Sequence, residues 1–99
     1  MRPFNLSNEV LPMVAEPLPY TQSGNVRLFL KSTPEIELKW HWDELDRTIT
    51  TICDNTWLFQ FDNELPVKMI NGESFYIPAG ALHRLIKGNE DLWIKILES

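Results

Sequence analysis

From residue 25 onward turn-forming residues cut the chain into short segments, and no other feature constrains the fold as much. The clusters are Ser32-Thr33-Pro34, Asp54-Asn55, Asp62-Asn63, Asn71-Gly72, Pro78-Ala79-Gly80 and Lys87-Gly88-Asn89. Gly, Asn and Asp tolerate left-handed backbone, and Pro presets φ, so each cluster favours a reversal. Between them lie Val26–Lys31, Glu35–Trp42, Thr48–Cys53, Thr56–Phe61, Val67–Ile70, Glu73–Ile77, Leu82–Ile86 and Leu92–Leu97. Thr48–Cys53 is dominated by β-branched residues, which pack well on a pleated surface and poorly in a helix. Thr56–Phe61 alternates, with Trp57, Phe59 and Phe61 on one face and Thr56, Leu58 and Gln60 on the other. Asn71-Gly72 is the strongest short hairpin signal in the chain. Short strands recurring about every 8–12 residues, with no amphipathic helix, predict an all-β sandwich or barrel. Either arrangement also hides strand edges that would otherwise invite aggregation.

Residues 1–24 read as an N-terminal arm, extended because Pro3, Pro12, Pro17 and Pro19 interrupt any helix, with at most one short turn near Asn8–Val14. Its apolar members, among them Phe4, Val10, Leu11, Met13 and Tyr20, predict that it packs on the barrel of residues 25–99 or on a partner subunit. With 99 residues the chain suits one domain, and four Trp, five Phe and two Tyr supply the bulk its small core needs.

A net charge of −5 without a basic cluster argues against nucleic acid and anionic membrane surfaces as partners. Cys53 is the single cysteine, so no internal disulfide forms, and it reads as a small buried hydrophobe. The first residues lack the apolar stretch of a secretory signal, and no apolar run approaches the ~20 residues of a spanning helix. The expectation is a cytoplasmic protein.

Chemistry-bearing residues are few. There is no Gly-x-Ser-x-Gly elbow, no phosphate-cradling glycine loop and no Cys-x-x-Cys spacing. The two histidines, His41 and His83, stand out, with acidic residues Asp43, Glu44 and Asp46 close to the first. On an extended chain residues 41 and 43 share a side, so His41 and Asp43 converge while Glu44 points away. Trp40, Trp42, Tyr76 and Trp93 suit a pocket wall or a dimer face; Trp57, Phe59 and Phe61 suit a core. Arg84 belongs on the face opposite His83.

The segment from Gly72 through Pro78 and Gly80 to His83 resembles the second sequence motif of the cupins: Gly, five residues, Pro, any residue, Gly, two residues, His. The asparagine expected four residues later is Lys87 here, with Asn89 nearby. The first cupin motif corresponds to Trp40–Arg47, with His41 in its second histidine slot, Lys39 in its first, Asp46 in its glutamate slot and Asp54-Asn55 in place of its glycine. The resemblance implies a small single-domain cupin, a double-stranded β-helix of jelly-roll type with a pocket at one mouth. If a metal binds, its ligands are His41 and His83 with a carboxylate from Asp43 or Asp46, and Trp40, Trp42, Trp57, Phe59, Tyr76 and His83 are the candidate wall of a pocket for a small polar ligand. Two imidazoles and a carboxylate accept iron, manganese, nickel or zinc. A metal-dependent dioxygenase or isomerase, a metal-free binding module and a dimerisation module with a vestigial site all stay open. A homodimer, formed by sheet extension or strand exchange, is compatible with each.

Overall fold

A computed structural model of the chain describes residues 18–99. Most of the arm, including its expected turn, lies outside the described residues. Among the described residues eight strands are formed: β1 Thr21–Ser23, β2 Val26–Phe29, β3 Arg47–Thr51, β4 Leu58–Phe61, β5 Val67–Lys68, β6 Ser74–Ile77, β7 His83–Ile86 and β8 Leu92–Glu98. They make a five-stranded sheet in the order β1-β2-β8-β3-β6 and a three-stranded sheet in the order β5-β4-β7, every pairing antiparallel. The sheets face each other over one core without closing into a continuous barrel. Among the described residues no helix is long and apolar enough to cross a membrane.

Strand β8 organises the larger sheet. Leu92, Ile94 and Ile96 are buried while Trp93, Lys95 and Leu97 face outward, the period-two pattern of a strand with one dry face. It pairs with β2 on one side and β3 on the other. Phe29, Ile49 and Ile77 join it from its own sheet, and Trp57, Phe59 and Met69 come from the opposite side of the core. The expected Trp57, Phe59 and Phe61 face is the inner one, with Trp57 and Phe59 buried and Phe61 packed against the core.

Two sequence expectations change. Asn71-Gly72 does turn the chain, with Gly72 at φ 91° and Glu73 N–H donating to the Ile70 carbonyl at 3.0 Å. It is not a hairpin, however, because β5 pairs with β4 while β6 pairs with β3 in the other sheet. The turn carries the chain across the core, a choice that local chemistry cannot make. The second change is Glu35–Trp42, expected as a strand. It holds a 3-10 turn over Glu35–Glu37, and its one ladder contact is an isolated bridge between His41 and His83. The alternation of Ile36, Leu38, Trp40 and Trp42 is present, yet only Leu38 packs on the core and the other three are exposed. Without a neighbouring strand to satisfy its backbone, apolar alternation does not make a strand. A strand not expected, β1, lies within the segment read as the arm and pairs with β2 through the tight Gly24-Asn25 turn.

Candidate metal centre and adjoining cavity

The site is built where the second motif meets the irregular segment after the 3-10 turn. Gly80, at φ 81°, reverses the chain after β6, so that β7 opens with His83. Two hydrogen bonds pin this reversal to the acidic segment. Ala79 N–H donates to Asp46 Oδ1 at 2.8 Å, and Gly80 N–H donates to the Asp43 carbonyl at 2.9 Å. A reciprocal pair follows: His41 N–H to the His83 carbonyl at 3.0 Å and His83 N–H to the His41 carbonyl at 2.9 Å. Residues paired this way stand directly opposite and present side chains to the same face. The two imidazole centroids are accordingly 4.3 Å apart.

Both rings are oriented in the same manner. His41 Nδ1 lies 3.0 Å from the Lys39 carbonyl, and His83 Nδ1 lies 2.8 Å from the Ala81 carbonyl. A carbonyl only accepts, so each Nδ1 carries a proton, and in a neutral ring the Nε2 then offers a lone pair. His83 is buried, with its ring stacked on Phe59 at 5.7 Å, whereas His41 is exposed. Burial holds the His83 pKa below the ordinary imidazole value, partly opposed by the bond to Ala81.

Asp43 completes the group. Arg47 Nη1 holds its Oδ1 at 3.3 Å, and Arg47 Nε in turn donates to Glu98 Oε2 at 2.7 Å. Asp43 Oδ2 is buried without a hydrogen-bond partner among the described residues, 3.4 Å from His83 Nε2. With a neutral ring, a lone pair faces a carboxylate oxygen, an arrangement that calls for a cation between them. One donor atom from each of His41, Asp43 and His83 lies within 4.8 Å of the other two. Metal bonds of about 2.0–2.2 Å put three mutually adjacent ligand atoms roughly 3–3.8 Å apart, so the group closes by up to about 1–2 Å on an ion, and His41, the exposed member, is the one with room to move. The residues fit a divalent ion.

Asp46, the alternative carboxylate, is not in this group. Its carboxylate is committed to the Pro78–Gly80 turn, and the Ala79 N–H followed by the Tyr76 hydroxyl holds its pKa below the usual value. Glu44 is exposed and outside the group.

A cavity of about 290 Å³ opens beside the group. Of the expected pocket residues, Phe59 and His83 line it and the others do not. Trp57 is buried in the core, its indole N–H donating to the Glu90 carbonyl at 2.6 Å. Trp40, Trp42 and Tyr76 are exposed, and Arg84, on the face away from His83, lies over the Trp40 ring at 4.4 Å. Sequence reading missed Tyr20, Arg27, Lys39 and Arg47 on the wall. The two arginines carry a legible signal. Each precedes an inward residue by two positions, Arg27 before Phe29 and Arg47 before Ile49, so each is a charge in phase with the core face. Cys53 is half-buried and accepts the Trp93 N–H at 3.2 Å, a structural contact.

No protein-family model and no curated protein matches the sequence. Solved structures do match. A chain from crystal structures of DMSP lyases superposes with a TM-score of 0.62 at 16% identity, covering 74% of this chain and 35% of that one. A cupin domain from Bordetella pertussis Tohama I gives 0.51 at 16% identity, over 80% of this chain and 86% of that one.

The fold is that of a cupin.

A protein from Neisseria meningitidis has the same architecture over 88% of this chain and 90% of its own length, with a TM-score of 0.53 at 16% identity. This cupin-fold chain therefore spans about a third of the lyase chain it matches and most of the two smaller proteins.

Proposed function

We propose that this protein is a small cupin-fold binding protein in which His41, Asp43 and His83 hold one divalent metal beside a cavity for a small polar ligand. The observation that carries the reading is the unpartnered Asp43 Oδ2 facing the free Nε2 of His83, with His41 oriented alike beside them. Two imidazoles and a carboxylate leave positions open on iron, manganese, nickel or zinc, and such an ion supplies Lewis acidity to a ligand oxygen. The chain's own residues do the rest. The Lys39 and Ala81 carbonyls fix the ring tautomers, Arg47 fixes the carboxylate, and Phe59 shields His83 on one side.

A metal-free binding cup is the second reading, favoured by a cavity wall that carries its own cations and apolar surface. Elemental analysis of protein purified without chelators or added metal separates the two. The metal reading expects about one equivalent per chain, lost in His83→Ala. Zero metal after attempted reconstitution, or full occupancy in the variant, overturns it.

A further inference from the structure

The wall of the cavity is charged against the sign of the whole molecule. The chain carries −5, yet Arg27, Lys39 and Arg47 line the cavity, and among the described residues Asp43 is the one lining carboxylate. Arg47 is occupied, bridging Asp43 and Glu98. Arg27 is placed differently. It sits opposite Ile94 in the β2–β8 ladder, so its side chain leaves the inner face of the sheet among core residues. Its Nε donates to Gln22 Oε1 at 2.6 Å, and its guanidinium lies over the Tyr20 ring at 4.1 Å from the centroid. Both contacts orient a planar cation, and neither neutralises it. Among the described residues no carboxylate lies within ion-pair distance of it.

A half-buried guanidinium with a neutral hydrogen-bond partner, a ring beneath it and further donors to spare is arranged as an anion receptor. The walls around it are apolar, with Phe29, Ile49, Leu85 and Ile94 contributing. Cation at one place and hydrocarbon around it match an anionic head on a compact apolar body. A planar carboxylate matches the fork of one guanidinium with two parallel N–H donors. From this we infer that the cavity takes a small carboxylic acid with an apolar body, its carboxylate bound by Arg27 and its body against the inner sheet face. The inference rests on the cavity being the ligand site, and names the ligand class without requiring the metal.

Calorimetry with benzoate and hexanoate, against benzamide and hexanamide, tests it on both metal-stripped and metal-loaded protein. The neutral amides keep shape and apolar area while removing the charge. Saturable binding of at least one carboxylate is expected, with its amide weaker by about tenfold or more, in the metal-stripped sample as well. Arg27→Gln should remove that preference and Arg27→Lys should restore part of it, while metal content measured on the same samples stays at the wild-type value. Amides binding as well as carboxylates, a preference untouched by Arg27→Gln, or no saturable binding below about 10 mM overturns the inference. If metal is absent while the preference persists, the metal reading alone fails. If metal is bound and the preference is absent, the inference alone fails.

Discussion

His41 and His83 are joined by two reciprocal backbone hydrogen bonds of 3.0 and 2.9 Å, and these hold two imidazole rings 4.3 Å apart on one face. This bridge is the one ladder contact made by a segment that forms no strand of its own. It couples the site to the fold, since disturbing either backbone separates the two rings.

Metal binding should therefore stabilise the folded chain. An ion bound to the native state alone at a free concentration about 100-fold above its dissociation constant adds ~2.7 kcal/mol. For a domain of this size that raises Tm by roughly 10–20 °C. Differential scanning calorimetry with and without chelator measures the shift, and it should disappear in His83→Ala.

Asp43→Asn keeps the shape of the side chain and removes its charge, so zinc affinity should fall by about tenfold or more. Arg47→Met leaves the ligands in place and releases Asp43 Oδ1 from its 3.3 Å contact. A loss of about 10–100-fold is expected there, as for other groups that orient a metal ligand. Competition against a chromophoric zinc chelator reads both. Unchanged affinity in Asp43→Asn removes the carboxylate from the ligand set.

Asp46 predicts a specific acid dependence. Its folded pKa is lowered by the Ala79 N–H first and the Tyr76 hydroxyl second. A depressed carboxylate stabilises the fold fully above its unfolded value, about 3.9, and that contribution is lost as pH falls through the folded value. Urea midpoints of wild type and Asp46→Asn should differ by a constant amount above about pH 5 and converge as the solution becomes more acidic. A difference that grows on acidification contradicts the assignment.

Gly88 is glycine because of crowding. A Cβ there would meet the Thr56 carbonyl carbon and Oγ1 at 2.6 Å and the Trp57 nitrogen at 2.7 Å. Two of these atoms are backbone, so the two loop segments must move apart, and Gly88→Ala should cost about 1–3 kcal/mol by urea denaturation. Leu92→Ala, at a site with 0% exposure, should cost about 2–5 kcal/mol. Leu65→Ala, at 84% exposure, should stay within about 0.5 kcal/mol.

Much of this protein is legible in its sequence, because strand phase and turn chemistry are local. The alternation around Trp57, Phe59 and Phe61 names a buried face, and Gly72-x5-Pro-x-Gly-x2-His places His83 at the head of a strand. The spacing of His41 and Asp43 puts two donors on one side. Tertiary structure decided what depends on partners far along the chain. It sent the strands flanking Asn71-Gly72 into different sheets and left Glu35–Trp42 with a single bridge, His41 to His83, among the described residues. It gave Asp46 to the backbone of a turn and Asp43 to the site, although the two stand three residues apart and look alike in sequence. It also gathered Arg27 and Arg47 at one cavity, where room beside the core lets each charge keep hydrogen-bond partners, Gln22 for Arg27 and Asp43 and Glu98 for Arg47.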